Sequence, residues 1–447
     1  MTKEEIQGKK ISAVSLGCDK NRVDLEKILF SLKDFGFKVV ANPEEADVVI
    51  VNTCAFILPA KQESINTIIE MEHLKDKGVI EKVIVTGCFP ERNMKELVEN
   101  FPKIDAFVRT KDNGTIPTLI ADLYGLKEEK YKKKSGRIIT TTGSYAYLKI
   151  ADGCNNACSY CAIPRIRGRY ISAPMDELVD EANNLVKQGV KEIILVAQDT
   201  SRYGEDLYGE NKLIELCKKL VKIKGLQWLR LHYLYPEKLS DELLEYISNE
   251  EKICNYIDIP LQHIDDEILA SMRRRMNEED TRQLIQKIKT NYPNLAIRTT
   301  FIVGYPGETR KKFKKLCNYV RETKFNYAGF FQYYREENTA SYFMKKQLSN
   351  FTKKRRLKKI KAIQEGVVKA QVDRNIGEEV DVMIDDFDCT TGLYIGHTRK
   401  QSPNVDFGVA VEAERLRIGD IVKVKIDSFN GNNYGGLYEF TQQNNID

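Results

Sequence analysis

Three cysteines share one short loop: Cys154, Cys158 and Cys161 lie in DGCNNACSYCAIPRIRG, residues 152–168, with CxxxCxxC spacing. A chain that gathers three thiolates this tightly must build its fold around whatever they hold. Three thiolates on one loop can take three corners of an iron–sulfur cube and leave the fourth iron without a protein ligand. Gly153 and Gly168 bracket the loop, where the backbone must bend round a bulky object, and Tyr160 directly precedes the last cysteine. The competing assignment is a zinc site completed by a fourth ligand from elsewhere. No second CxxC follows, and an open coordination position is of no use to a structural ion, so iron–sulfur chemistry is expected.

The chain has 447 residues, which suggests about three domains at ~150 residues each. With 42% hydrophobic and 30% charged residues it can bury a sizeable core, and wholesale disorder is not expected. The start, MTKEEIQGKK, has no apolar stretch of the secretory kind. The longest apolar run, VVIVNTCAFIL, falls short of the ~20 residues that span a bilayer. A cytoplasmic location without membrane contact follows as the expectation. Ten cysteines are too sparse for a disulfide scaffold, and in a reducing compartment clustered cysteines favour metal or redox chemistry. A formal net charge of +5 does not by itself call for nucleic acid, and no DNA partner is expected.

Residues 10 to 110 read as alternating strands and helices: KISAVSL, ADVVIVNT and EKVIVTG are β-rich runs, and NRVDLEKILFSLKDFG has helical spacing closed by a glycine. Such alternation implies a parallel sheet covered by helices. Each strand is followed at once by a cysteine: Cys18 in SLGCDKN, Cys54 in VNTCAF and Cys88 in TGCFPE. Loops after the carboxyl ends of parallel strands lie along one edge, so these three should converge as a second three-thiolate site. A buried cysteine acting as a small hydrophobe is the alternative for any one of them. Gly17 and Gly87, each just before its cysteine, suit a backbone turning close to a cluster.

The CxxxCx(aromatic)C loop at the end of a strand resembles the radical S-adenosylmethionine (SAM) enzymes. In that family the open iron of a 4Fe-4S cluster chelates SAM and an electron cleaves it to a 5'-deoxyadenosyl radical. The resemblance implies that Cys154, Cys158 and Cys161 are ligands and that Tyr160 lies near the adenine. The order SLGCDKN, VNTCAF and TGC before that core resembles the methylthiotransferases, whose amino-terminal domain carries an auxiliary 4Fe-4S cluster. The positions that match are Cys18, Cys54 and Cys88. Two 4Fe-4S clusters and SAM are thus the implied cofactors, with a reductant such as flavodoxin or ferredoxin.

Residues 111 to 143, with EEKYKKKSGR as the most charged part, are expected to form a solvated linker. From SYAYLKIADGC onward, strand and helix units repeat over more than 200 residues, which suggests a TIM-like barrel, whole or open. Function in such a barrel belongs at the strand ends, where Asp199, His263, Gly304 and Glu308 fall. The resemblance would place the SAM pocket among these, with Arg298 and Thr300 as further lining residues. A structurally satisfied histidine or arginine is the plainer alternative for His263 and Arg298. Cys217, Cys254 and Cys317 have apolar surroundings without partner spacing and read as core.

Residues 351 to 375 read as one long helix with nine basic and two acidic residues, either a solvated face or a binding surface. Short alternating strands parted by Gly, Asn and Asp then suggest a small antiparallel barrel. It resembles the TRAM domain, an OB-like module. The expected domains are therefore 8–125, 140–372 and 373–441. Residues 376–440 hold 12 acidic and 6 basic side chains, and that net of −6 opposes phosphate binding. An acidic barrel suits a basic protein surface, so the substrate is expected to be a protein docked on it.

The motifs SLGCDKN, VAQDTSRYG and DIPLQHIDDEIL resemble the RimO branch of the methylthiotransferases. That resemblance implies methylthiolation of the β-carbon of an aspartate in protein twelve of the small ribosomal subunit. Asp19, Leu25 and Ala55 depart from residues frequent in that branch, and none is a ligand position. The nearer alternative is a transfer RNA adenosine methylthiotransferase of the MiaB kind, marked by a salt-sensitive RNA affinity. The farther one is a non-enzymatic, zinc-bound interaction scaffold.

Overall fold

The computed structural model describes residues 8–126, 134–431 and 433–437. Its amino-terminal unit is a parallel sheet of β1 (Lys10–Ser15), β2 (Lys38–Val39), β3 (Val48–Thr53), β4 (Lys82–Gly87) and β5 (Ala106–Phe107), in the order β2-β1-β3-β4-β5. All six residues of β3 are buried, because helices cover both sheet faces. Ile11, Val48 and Ile50 pack on Leu25, Leu29 and Leu32 of the helix Asp19–Phe35. On the other face Val49, Val51 and Val85 pack on Ile68 and Met71 of the helix Leu58–Asp76.

The expected linker is shorter than the sequence suggests. Residues Ile116–Leu123 form a helix whose Ile116, Ile120 and Ala121 complete the first of those cores. Residues 127–133 of the charged stretch lie outside the described residues. Beyond them Arg137 is buried rather than solvated, ion-paired to Glu26 and, at 2.8 Å, to Glu181. Two carboxylates from different units draw it in, and neither is near it in sequence.

The central unit begins with β6 (Tyr145–Lys149). A short ribbon of β7 (Ala151–Asp152) against β8 (Ile171–Ser172) closes the base of the 152–168 loop. The strands β9 (Glu192–Val196), β10 (Trp228–Leu231), β11 (Tyr256–Gln262), β12 (Ala296–Val303) and β13 (Tyr327–Gln332) follow, each reached through a helix-bearing connection. β6, β9 and β10 form one parallel half and β11, β12 and β13 the other. The halves meet where Leu229 bridges Ile253 and Leu234 N–H donates to the Asp258 carbonyl at 2.8 Å. The result is an open six-stranded barrel. Alternation along β12 sends Ile297, Phe301 and Val303 to the helix layer and leaves Arg298, Thr300 and Ile302 on the inner face. Cys217, Cys254 and Cys317 are buried.

The carboxy-terminal unit is a closed barrel of β14 (Glu379–Asp388), β15 (Leu393–Thr398), β16 (Val409–Glu412), β17 (Ile421–Phe429) and β18 (Tyr434–Leu437). It is not wholly antiparallel, since β16 and β18 run parallel. It seats on the amino-terminal ends of the central strands. Tyr145 of β6 meets Asn404, Glu192 of β9 meets His397, and Arg230 of β10 donates to the carbonyls of Thr398 and Arg399. Tyr256 of β11 and Arg298 of β12 both reach Asp406, while Tyr327 of β13 packs on Phe407. Asp385 and Asp406, counted above toward an exposed acidic surface, are therefore largely consumed in this contact. Glu378, Glu379, Asp381, Asp386, Glu412, Glu414 and Asp427 remain exposed.

His397 sits between Asp385, at 2.6 Å, and Glu192. Burial alone would lower its pKa, but the two carboxylates outweigh that and hold the imidazolium up to about 9. Its folded value lies above the ordinary 6.5, so its stabilisation is complete below pH 6.5 and is lost as pH rises through about 9. Thermal melting from pH 6 to 10 should show a decline on the order of 3 kcal/mol from this group, absent in His397→Gln.

The basic segment is one helix, Asn350–Asn375, that packs on β13 and on the helix Arg310–Thr323. Lys353, Arg356, Ile360, Gln364 and Val367 face inward at helical spacing, while Lys354, Arg355, Lys358, Lys359 and Lys361 are exposed. Among the described residues no helix is long and apolar enough to cross a membrane.

Candidate active site

Cys18, Cys54 and Cys88 follow β1, β3 and β4, which are adjacent in the sheet, so topology brings them to one edge. The approach is close enough to require glycine. A Cβ on Gly17 would stand 2.7 Å from Cys54 Cβ, and one on Gly87 would stand 2.4 Å from the Thr53 carbonyl oxygen. Both glycines have φ above +90°, a region that other residues rarely enter. Asn21 ties this edge together. Its amide donates to the carbonyls of Leu16, at 3.0 Å, and Thr53, at 2.9 Å.

The second set is carried by the 152–168 loop. A Cβ on Gly153, at φ +76°, would collide with the Arg169 carbonyl oxygen at 2.1 Å, so the loop closes on itself only with glycine there. Asn156 N–H donates to Cys154 Sγ at 3.4 Å, and the Tyr235 hydroxyl lies 3.9 Å from Cys158 Sγ. Ser159 fastens the loop to the barrel through the carbonyls of Ser271 and Met272. Tyr160 packs against a cluster of Ile268, Met272, Tyr305 and Tyr333.

One side chain links the loop of the second set to the first set. Arg167 lies at the end of the second loop with its side chain 3% exposed. It donates to Asn21 and Asp24 of the first unit, to Asp152 at 3.1 Å, and to Cys88 Sγ at 3.4 Å. Lys149 supports the same knot through Asp24 and, at 2.9 Å, Asp152. On the far side of the opening Glu336, just beyond β13, pairs with Arg92 and Lys61, both at 3.0 Å. The first unit therefore caps the carboxyl ends of the barrel strands from β6 to β13.

Burial raises the thiol pKa of Cys54 and Cys154 and pushes Cys88 up to about 12, with Arg167 pulling Cys88 back. Buried thiols of this kind keep their protons until a metal cation displaces them. Among the described residues no three His, Cys, Asp or Glu side chains close on a single-ion position. Ligands that each take a different iron of one cube stand farther apart than ligands sharing one ion. An all-sulfur set suits zinc and iron–sulfur clusters alike, but three thiolates that do not close on one ion match a cube with one iron left open.

The other sequence-derived candidates divide. Asp199 is buried and accepts from Asn156 at 2.7 Å, which places it against the cysteine loop. Gln198 Oε1, Thr200 Oγ1 and Glu237 Oε2 in the neighbouring strand-end loops are buried without partners, as is Arg274 Nη1. Orphaned polar atoms in strand-end loops suit a polar ligand such as SAM. Arg274 stacks on Tyr235, 4.4 Å from its ring centroid. His263 and Gly304 belong to a different knot. His263 Nε2 is 3.6 Å from Glu308 Oε1, and the other Glu308 oxygen accepts from Gly304 N–H and Arg356. Thr300 faces the interior beside Gly329, while Arg298 is held by Asp258 at 2.9 Å and by Asp406 at 3.5 Å. Arg167, Asn156, Tyr235 and Arg274 are missing from the sequence-derived set. Only the proximity of Asn156 and Arg167 to the cysteines could have flagged any of them.

Two cysteine triplets at strand ends, a capped open barrel and a small terminal barrel define a radical SAM enzyme of the methylthiotransferase class. Residues 148–320 match the radical SAM superfamily, 10–109 an uncharacterized protein family designated UPF0004, and 376–433 the TRAM domain. The ribosomal protein uS12 methylthiotransferase RimO of Aquifex aeolicus is 45% identical over 419 residues, covering 93% of this chain and 94% of that one. That of Clostridium acetobutylicum is 42% identical over 426 residues, covering 93% and 95%. The chain belongs to the RimO methylthiotransferase family. The radical SAM methyltransferase TsrM from Kitasatospora setae shares the fold, with a TM-score of 0.56 at 16% identity over 75% of this chain and 77% of that one.

Proposed function

We propose that this protein inserts a methylthio group at the β-carbon of an aspartate in ribosomal protein uS12, with Cys154, Cys158 and Cys161 holding one 4Fe-4S cluster and Cys18, Cys54 and Cys88 the other. The carrying observation is the bridge of Arg167, which touches Cys88 while belonging to the loop of the other triplet. Bound there, the two clusters and SAM supply a carbon-centred radical and a methylated sulfur to receive it. The chain's own part is placement. Strand-end loops bring both triplets to the capped end of the barrel, and Arg167 and Lys149 fix their separation. Asp199, Asn156 and the orphaned atoms of Gln198 and Thr200 line the side on which SAM would bind.

The exposed acids of the TRAM barrel support docking of a basic ribosomal protein by complementary charge. The natural location of such an enzyme is the cytoplasm, and a flavodoxin or ferredoxin is its expected reductant.

The test offers reconstituted enzyme two substrates under reducing conditions, purified uS12 and bulk transfer RNA. The expected result is a mass gain of one methylthio group on uS12, confined to an aspartate. Modification of the RNA with none of the protein would overturn the reading in favour of the MiaB kind.

A further inference from the structure

Among the described residues, one buried lysine near the cysteine triplets has no recorded salt bridge. We infer that Lys20 is the carboxylate-binding group of a substrate subsite and receives the side chain of the aspartate that is modified; this rests on the function proposed above. Lys20 follows Cys18 and Asp19 at the start of the helix Asp19–Phe35. It is only 7% exposed, and its Nζ lies 3.5 Å from the centroid of the Tyr233 ring. Nearby carboxylates are already engaged: Asp19 accepts from the Tyr233 hydroxyl at 3.0 Å, Asp24 holds Lys149 and Arg167, and Asp258 holds Arg298. Among the described residues the ring is its one recorded partner.

An ammonium lying against a π face with no recorded carboxylate partner would gain a charge-assisted hydrogen bond from an incoming anion. The position suits that anion. Tyr233 lies in the chain leaving β10, and two residues on Tyr235 approaches Cys158 of the opposite triplet. Lys20 itself is two residues from Cys18. Asp19 and Cys18 both lie by Tyr233, so a ligand held on the Nζ over that ring would lie near the first set, with the second reached through Tyr235.

Aspartate fits this grip for a geometric reason. Its β-carbon is bonded directly to the carboxylate carbon, so anchoring the carboxylate leaves one rotatable bond between a fixed point and the reacting atom. Asparagine would lose the charge, and glutamate would move its β-carbon one methylene away. The charge of Lys20 would then both position the substrate and select it.

The competing role for Lys20 is to offset negative charge on the Cys18, Cys54 and Cys88 cluster. Full-length reconstituted protein, as wild type, Lys20→Met and Lys20→Arg, is titrated with fluorescent peptides copying the target segment with Asp or with Asn, and iron per chain is measured alongside. Lys20→Met should weaken the Asp peptide by about 10- to 100-fold and shift the Asn peptide less than about twofold. Lys20→Arg should restore part of the preference, with iron unchanged throughout. Equal weakening of both peptides, or loss of iron with the Asp preference intact, overturns the subsite. If wild-type protein binds neither peptide and leaves uS12 unmodified, the parent function fails and the subsite with it.

Discussion

Replacing Cys154, Cys158 and Cys161 together by alanine is expected to abolish SAM cleavage while leaving about half the iron in place. Reconstituted wild-type protein should carry about eight irons per chain and the variant about four, as two cubes held by separate thiolate sets require. The separation is physical. The second triplet lies on one loop closed by β7 and β8, whereas Cys18, Cys54 and Cys88 follow three strands of a sheet with its own two cores. The strand-to-strand hydrogen bonds of that sheet do not involve the loop, and the Arg167 bonds to Asn21, Asp24 and Cys88 are kept in the variant. The alanine variant should therefore fold, and its melting curve provides the control. Retained 5'-deoxyadenosine formation in this variant would end the assignment of those ligands.

The second large effect concerns Arg167. Arg167→Met should lower stability by about 3 kcal/mol, because buried Asp24 and half-buried Asp152 would be left with Lys149 as their remaining cation. Arg167→Lys keeps the charge but cannot fork to Asn21, Asp24, Asp152 and Cys88 at once, so it should fall between wild type and methionine. The telling measurement is the ratio of methylthiolated product to 5'-deoxyadenosine. If the guanidinium fixes the spacing of the two triplets, that ratio should fall at least tenfold in Arg167→Met, since small displacements of reacting groups are costly. An unchanged ratio would make Arg167 a purely structural ion-pair residue.

What could be read from the chain alone follows the range of the interactions involved. Spacing within the 152–168 loop is local, and the cysteine after each early strand follows from period and topology, so both triplets were visible. The helix Ile116–Leu123 reads as linker in the sequence because it is short and lies beside a run of lysines. Its burial depends on Leu25 and Ile28, about 90 residues earlier. Arg137 was hidden for the same reason, since both its carboxylates are distant in sequence. Arg298, by its place in the IRTTFIVG stretch, suggests a SAM pocket. Its carboxylate partner Asp406 comes from the last domain, and no pattern in β12 announces it. The net charge of residues 376–440 was countable, but which acids would face solvent was not.

The seating of the TRAM barrel bears on how freely domains of this kind can be exchanged. Because all six central strands start on it, the barrel acts as the floor of the catalytic unit rather than as a tethered accessory. A chimera carrying a relative's terminal domain would inherit new surface recognition only if Asp385, His397, Asn404, Asp406 and Phe407 travelled with it or had equivalents. Recombination in this lineage is thus constrained at a face that never meets the substrate, and retargeting by grafting should succeed on the outward strands and fail at the buried seam.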